Sequence, residues 1–154
     1  MHTRRQTLKQ GAAVAGLLGA ATAGLLPAGA QAAWNKNAFE AKSVAEVAKA
    51  FGAGAPAESK DVTLTAPDIA ENGAVVPLGA ATTLAGVKHL LILVEKNPNT
   101  LVAKFDVSDA VDANFSTRAK MGQSSDVYAL AITGDGKALF AKKEVKVTLG
   151  GCGG

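Results

Sequence analysis

Two hydrophobic periods divide this chain. Between Trp34 and Gly52 the spacing is helical: Val44, Val47, Ala48 and Phe51 recur at i, i+3, i+4 and i+7, with Lys42, Glu46 and Lys49 on the other side. Ser43-x-x-Glu46 has the form of a capping box and Gly52 suits a C-cap, which predicts a helix from about Val44 to Phe51. Asn37-x-x-Glu40 offers a cap for an earlier turn, and Gly52-Ala53-Gly54-Ala55-Pro56 ends anything helical.

After Lys60 the period becomes two. Val62 and Leu64 alternate with threonines. Leu101, Ala103, Phe105 and Val107 alternate with Val102, Lys104, Asp106 and Ser108, and Phe115, Thr117, Ala119 and Met121 with Ser116, Arg118 and Lys120. Val87 to Val94, "VKHLLILV", is apolar on nearly both faces, as a central strand is. Turn signals stand at Asn72-Gly73, Asn97-Pro98-Asn99 and Gly134-Asp135-Gly136. About six or seven short strands at this spacing predict an all-β fold: a small immunoglobulin-like antiparallel sandwich with a short N-terminal helical segment.

The last strand is expected from Ala138 to Leu149. Val145, Val147 and Leu149 share one face and Glu144, Lys146 and Thr148 the other, but Lys143 falls on the apolar face and Phe140 on the polar one. A bulge near Lys142-Lys143 is the expectation that reconciles them. Beyond it comes "GGCGG", residues 150–154, a mobile arm anchored at the sheet edge by expectation, because four glycines give a sheet nothing to pack.

The N-terminus changes the reading of compartment. Arg4 and Arg5 precede a mild Gly/Ala/Leu run and then Ala30-Gln31-Ala32, the form of a cleaved twin-arginine export signal over residues 1–32. A membrane span needs about 20 strongly apolar residues, and this run is shorter and diluted by glycine and alanine. The domains are therefore expected as signal 1–32, β-sandwich 33–149 and arm 150–154. The formal charge of +3 also dissolves, since Arg4, Arg5 and Lys9 supply all of it and the remainder is balanced. A neutral domain with the single Arg118 gives no support for nucleic-acid binding. Twin-arginine export carries folded proteins, so a cofactor or a partner is acquired first. One cysteine, His89 and no C-x-x-C give little for metal or haem, so no cofactor is expected and a partner is.

Cys152 is the chain's one cysteine. Three residues beyond Leu149 reach at most about 10 Å, enough to enter a neighbour's cleft, and flanking glycines keep that entry thin. Ordering each residue costs roughly 1 to 2 kcal/mol, so such an arm docks weakly and leaves again. An unassisted thiol has a pKa of about 8.5, and nothing in GGCGG lowers it, so Cys152 reads as an attachment point rather than a catalyst. The alternatives are a secreted β-sandwich binding module whose Cys152 makes an intermolecular disulfide, and a ubiquitin-like carrier using a terminal thiocarboxylate, which needs ATP that an exported protein lacks. His89 reads as a packed or hydrogen-bonded core residue, Asp68 and Glu71 as loop surface or interface, and Trp34 and Phe39 as anchors to the sandwich or to a partner.

The twin-arginine signal, the stretch "TAPDIAENGAVVPL" from Thr65 to Leu78, the small β-domain and the terminal GGCGG together resemble the SoxY family, sulfur-carrier subunits of the periplasmic thiosulfate-oxidising Sox system. The resemblance implies a non-catalytic carrier that bears pathway intermediates on Cys152, with Gly150, Gly151, Gly153 and Gly154 as its flexible arm. It implies an immunoglobulin-like fold and a heterodimer with a SoxZ-type subunit that has no export signal of its own. It also implies transient docking with haem-containing, hydrolytic and sulfur-oxidising enzymes, no resident cofactor or metal, no nucleic acid, and no membrane in the mature form.

Overall fold

A computed structural model describes residues 35–148. The expectations for Arg4, Arg5, the signal, Trp34, Leu149, Cys152 and the arm glycines lie outside the described residues.

Helices α1 (Lys36–Glu40) and α2 (Val44–Ala50) come first. Asn35 caps α1, its side chain accepting from the Ala38 amide at 3.2 Å. The cap thus stands two residues before the expected Asn37, which is itself helical. Ser43 caps α2, accepting from the Glu46 amide at 3.2 Å, while the Glu46 carboxylate reaches back to the Lys42 amide at 2.8 Å. Gly52 (φ 74°) closes α2: its amide donates to the Lys49 carbonyl and the Ala53 amide to the Ala48 carbonyl, a turn that only a left-handed residue completes without strain.

Nine strands follow among the described residues: β1 (Ala57–Glu58), β2 (Val62–Thr65), β3 (Ile69–Ala70), β4 (Val76–Thr82), β5 (Val87–Val94), β6 (Leu101–Asp106), β7 (Asn114–Ala119), β8 (Ser125–Thr133) and β9 (Ala138–Val147). The large sheet runs β1-β9-β8-β5-β6, and the small one β2-β4-β7. The expected immunoglobulin-like all-β sandwich forms, antiparallel except where the two-residue strands β1 and β3 lie parallel along the outer edge of β9.

The large sheet is buried on both faces. Leu90, Ile92, Val94, Val127, Ala129, Ala131 and Val145 meet Val62, Val76, Leu78 and Met121 of the small-sheet side. Leu91, Leu93, Leu101, Leu130, Ile132 and Ala138 face the helices, whose Ala38, Val47 and Ala48 are fully buried. Phe39 packs into this second core, so of its two expected roles the structure gives the anchor to the sandwich.

Double burial removes the reason for a bulge at Lys142-Lys143. β8 and β9 pair without a register shift from Ser125↔Val145 to Ile132↔Ala138. Phe140 sits on the helix side, which is a second core and not a polar face, and Lys143 stays on the inter-sheet side. Register shifts lie instead on β5: against β6, where Ile92 pairs with Ala103 and Leu93 with Leu101, leaving Val102 unpaired, and against β8, where Val87 pairs with Thr133 and His89 with Ile132. The extra residue Val102 turns Leu101 towards the helices while Ala103 and Phe105 stay between the sheets, which breaks the single alternation read along 101–107. The strands that escaped the pattern are β1, β3, β4 and β8; β8, "SDVYALAIT", is apolar on both faces and shows no period of two.

Candidate functional site

β9 is the last strand among the described residues, and its end is held from two sides. On the outer edge the Lys146 amide donates to the Asp68 carbonyl (3.0 Å) and the Thr148 amide to the Ala70 carbonyl (3.1 Å). The Thr148 hydroxyl donates to the Glu71 carbonyl at 3.2 Å. On the inner edge the Val147 amide donates to the Ser124 hydroxyl at 2.9 Å. The strand is fixed up to the last described residue.

Lys143 secures the same segment from within. Its aliphatic stem lies on the face that also carries Leu139, Ala141, Val145 and Val147, and its ammonium donates to the Ala66 carbonyl at 2.8 Å and stands 2.9 Å from the Asp68 carboxylate. That hydrogen bond, and then the ammonium's charge, hold the Asp68 carboxyl below its ordinary value of 3.8. A lysine on an apolar face was the visible signal of this anchor, because its long stem can line a core while its head finds polar partners at the rim.

Neighbouring loops are knitted to this end. The Met121 amide donates to the Gly73 carbonyl (2.7 Å), and the Asn72 side chain accepts from the Ala74 amide (2.9 Å). The Asn97 side chain donates to the Lys120 carbonyl (2.7 Å), and the Ser125 hydroxyl accepts from the Lys96 amide (3.0 Å). These loops are thus a set of hydrogen-bonded turns.

The other expected residues fall elsewhere or play plainer parts. His89 is half-buried, its Nδ1 2.7 Å from Asp106 Oδ1 and its ring 5.1 Å from that of Phe51. It ties helix to sheet, a hydrogen-bonded role at the margin rather than the centre of the core. Asp106 is held below the ordinary carboxylate value chiefly by its hydrogen bond from Lys104, with His89 adding to it. Asp68 and Glu71 do not form an acid/base pair: one carboxylate binds Lys143, and Glu71 contributes its carbonyl. Among the described residues, no group of three or more His, Cys, Asp or Glu could hold a metal ion. Sequence reasoning missed Lys143, Ser124 and Thr148, all of which hold the exit of β9.

The model of the family "Sulfur oxidation protein SoxY" matches residues 47–152, from α2 through the whole sandwich to the cysteine. The chain belongs to the SoxY family. Among solved structures it is similar to the sulfur carrier protein SoxY from Chlorobium limicola f thiosulfatophilum, at 36% identity and a TM-score of 0.60, covering 67% of this chain and 93% of that one. A variant of superoxide reductase (neelaredoxin) from Ignicoccus hospitalis, at 14% identity and a TM-score of 0.50, covers 56% of this chain and 78% of the other, a likeness of fold alone. No curated protein sequence matches significantly. In the sequence Cys152, the only cysteine, follows the last described residue, Thr148, by four positions.

Proposed function

We propose that this SoxY-family protein is a non-catalytic sulfur carrier of thiosulfate oxidation, exported folded to the periplasm, with pathway intermediates bound covalently to Cys152. Residues 150–154 serve as the carrier arm, with Gly150, Gly151, Gly153 and Gly154 keeping it thin and pliable. Residues 1–32, with Arg4 and Arg5, serve as the cleaved twin-arginine signal.

The reading is carried by one observation: the family match runs to Cys152, just past a β9 whose described end is hydrogen-bonded on both edges. A firm root with a glycine-flanked thiol beyond it suits presentation of a bound group to a neighbour's cleft. The chemistry balances with the cofactor in that neighbour. Joining thiosulfate to the thiol forms one S–S bond, releases the thiol proton and passes two electrons to a haem-containing enzyme. Hydrolysis of the terminal sulfone then releases sulfate and leaves sulfur on Cys152 for further oxidation.

A SoxZ-type subunit is the expected stable partner, since a chain without a resident cofactor that crosses the membrane folded has another reason to fold first. The test is intact-mass measurement on protein from thiosulfate-oxidising cells. Sulfur adducts that disappear on reduction are expected on the parent chain and absent from Cys152→Ser. Adducts persisting in that variant place the attachment elsewhere.

A further inference from the structure

The two sheets are finished differently on their outward sides. Helices α1 and α2 pack on the outer face of the large sheet, whereas Thr65, Pro77, Ser116 and Arg118 stand exposed on that of the small sheet, β2-β4-β7. A cleft of about 840 Å³ opens there, with Thr65, Pro67, Pro77, Gly79, Ser116 and Arg118 in its lining. The register sets these residues side by side: Gly79 of β4 lies between Thr65 of β2 and Ser116 of β7, and Pro77 pairs with Arg118. Gly79 keeps the floor open, because a Cβ there would stand 3.3 Å from the Thr65 Cβ and 3.6 Å from the Phe115 carbonyl oxygen. A solvent-facing strand of this chain carries charges, as Lys142, Glu144 and Lys146 of β9 show. The outward positions of β2, β4 and β7 hold a single charged residue, Arg118. Among the described residues Arg118 has no ion pair, and the Thr65 and Ser116 hydroxyls have no hydrogen-bond partner.

We propose that this cleft seats the stable partner subunit, receiving from it a projecting loop whose carboxylate pairs with Arg118. The inference rests on the reading that the carrier has a stable partner chain. Depletion of Lys, Asp and Glu with an arginine kept is the composition of the middle of a protein interface, not of free surface. The charge that complements a lone guanidinium in a cleft wall is a planar two-oxygen anion, and an Asp or Glu side chain supplies it with bidentate geometry. Volume decides between a free ion and a chain. A tetrahedral oxyanion on one arginine would leave most of the cleft to water, whereas several side chains of a loop fill it. The unused hydroxyls of Thr65 and Ser116 then bond the loop's backbone, which the bare Gly79 lets approach. A concave, charge-poor surface gives up electrostatic steering for packing, which suits a lasting contact better than a visiting enzyme. Ala66, in the same cleft wall, accepts from Lys143, so the seated loop backs onto the contacts that hold the end of β9.

The test titrates the SoxZ-type subunit into the full chain and reads Kd by calorimetry. Arg118→Gln is expected to raise Kd about tenfold and Arg118→Glu about a hundredfold, because the second also sets like charges against each other. Ser116→Lys, which lays a long cation across the cleft, is expected to raise it about tenfold. Both positions are exposed, so the thermal midpoint of the free chain stays at the parent value. Should Ser116→Lys lower it, Ser116→Gln takes its place. Glu144→Gln, on the exposed face of β9, leaves Kd unchanged. Values for Arg118→Glu and Ser116→Lys within about twofold of the parent overturn the proposal, as does an equal rise with Glu144→Gln. Saturable NMR shifts of the Gly79 and Ser116 amides with thiosulfate or sulfate in the free chain, beside an Arg118→Glu chain that still binds its partner, assign the cleft to a small oxyanion and overturn it too. The reading beneath fails separately: a parent chain that binds no partner subunit sinks both, whereas a tight parent complex untouched by the variants sinks the seat alone.

Discussion

β9 is held differently at its two ends. At its start both faces are buried: Ala138 and Phe140 lie against the helix-side core and Leu139 between the sheets, with β1 covering the outer edge. The hairpin that feeds it is tight, with the Lys137 ammonium and then the Thr133 hydroxyl drawing the Asp135 carboxyl down to about 2. At its other end one face carries Lys142, Glu144 and Lys146 to solvent, and the fixing bonds come from Asp68, Ala70, Glu71, Ser124 and Lys143. The start is held by burial, which is cooperative with the whole fold. At the exit Val145 still packs between the sheets, but the last residues, Lys146 to Thr148, are held by individual polar contacts, which can be lost one by one while the sandwich stands.

The largest effect is therefore expected at the start. Phe140 packs on the helix side with its ring 5.4 Å from that of Tyr128, edge to face. Replacing Phe140 by Ala removes that contact and leaves a partly collapsible gap, and about 2 to 3 kcal/mol of global stability is expected to go. Denaturant unfolding checks it. A loss at the level of a surface substitution would mean that helices and sheet are not coupled through this side chain, and the contrast between the ends would weaken.

At the exit, Ser124→Ala removes the acceptor for the Val147 amide. The cost expected is about 1 kcal/mol, since the bond is only part-buried and water can replace it. More telling is where the cost appears: Val147 should exchange its amide proton faster while the amides of β5 and β8 keep theirs. A uniform rise in exchange would show the exit to be part of the global unit, with no difference in how the two ends of β9 are held.

The same contrast explains what could be read from the sequence. α2, β2, β5 and β7 were legible because each buries one clean stripe or is apolar throughout. β8 was not, because a strand covered on both faces loses its period of two. Lys143 misled for a related reason: with a second core on the helix side, the presence of Phe140 opposite it is no conflict, and no bulge is needed. β1 and β3 have two residues each, too few to show any period, and exist only because β9 offers them an edge. Cys152 announced itself by composition, whereas the end of β9 is held partly through the backbone carbonyls of Asp68, Ala70 and Glu71, which any residue type supplies, and partly through the side chains of Ser124 and Lys143, whose partners lie far away in sequence.

The smallest expected effect concerns the pairing of Asp68 with Lys143. A carboxyl whose folded pKa is lowered contributes stability that is fully present above its unfolded value and is lost as pH falls through the folded one. For Asp68, with an ordinary value of 3.8 and a hydrogen bond from Lys143 that lowers it, the exit of β9 should be insensitive to pH from neutrality to about pH 4 and loosen only below that. The group is fully exposed, so salt screens the pair and the change stays local. The amides of Lys146 and Thr148, which donate to the carbonyls of Asp68 and Ala70, are the reporters, read by NMR shift along an acid titration. Asp68→Asn should remove the acid step from both amides, whereas Lys143→Met, which keeps an apolar stem on the face but withdraws the ammonium, should move that step up towards the ordinary value. A transition of these amides between pH 5 and 8 would instead assign the control of the exit to another titrating group, and the ion pair would have no part in fixing the end of β9.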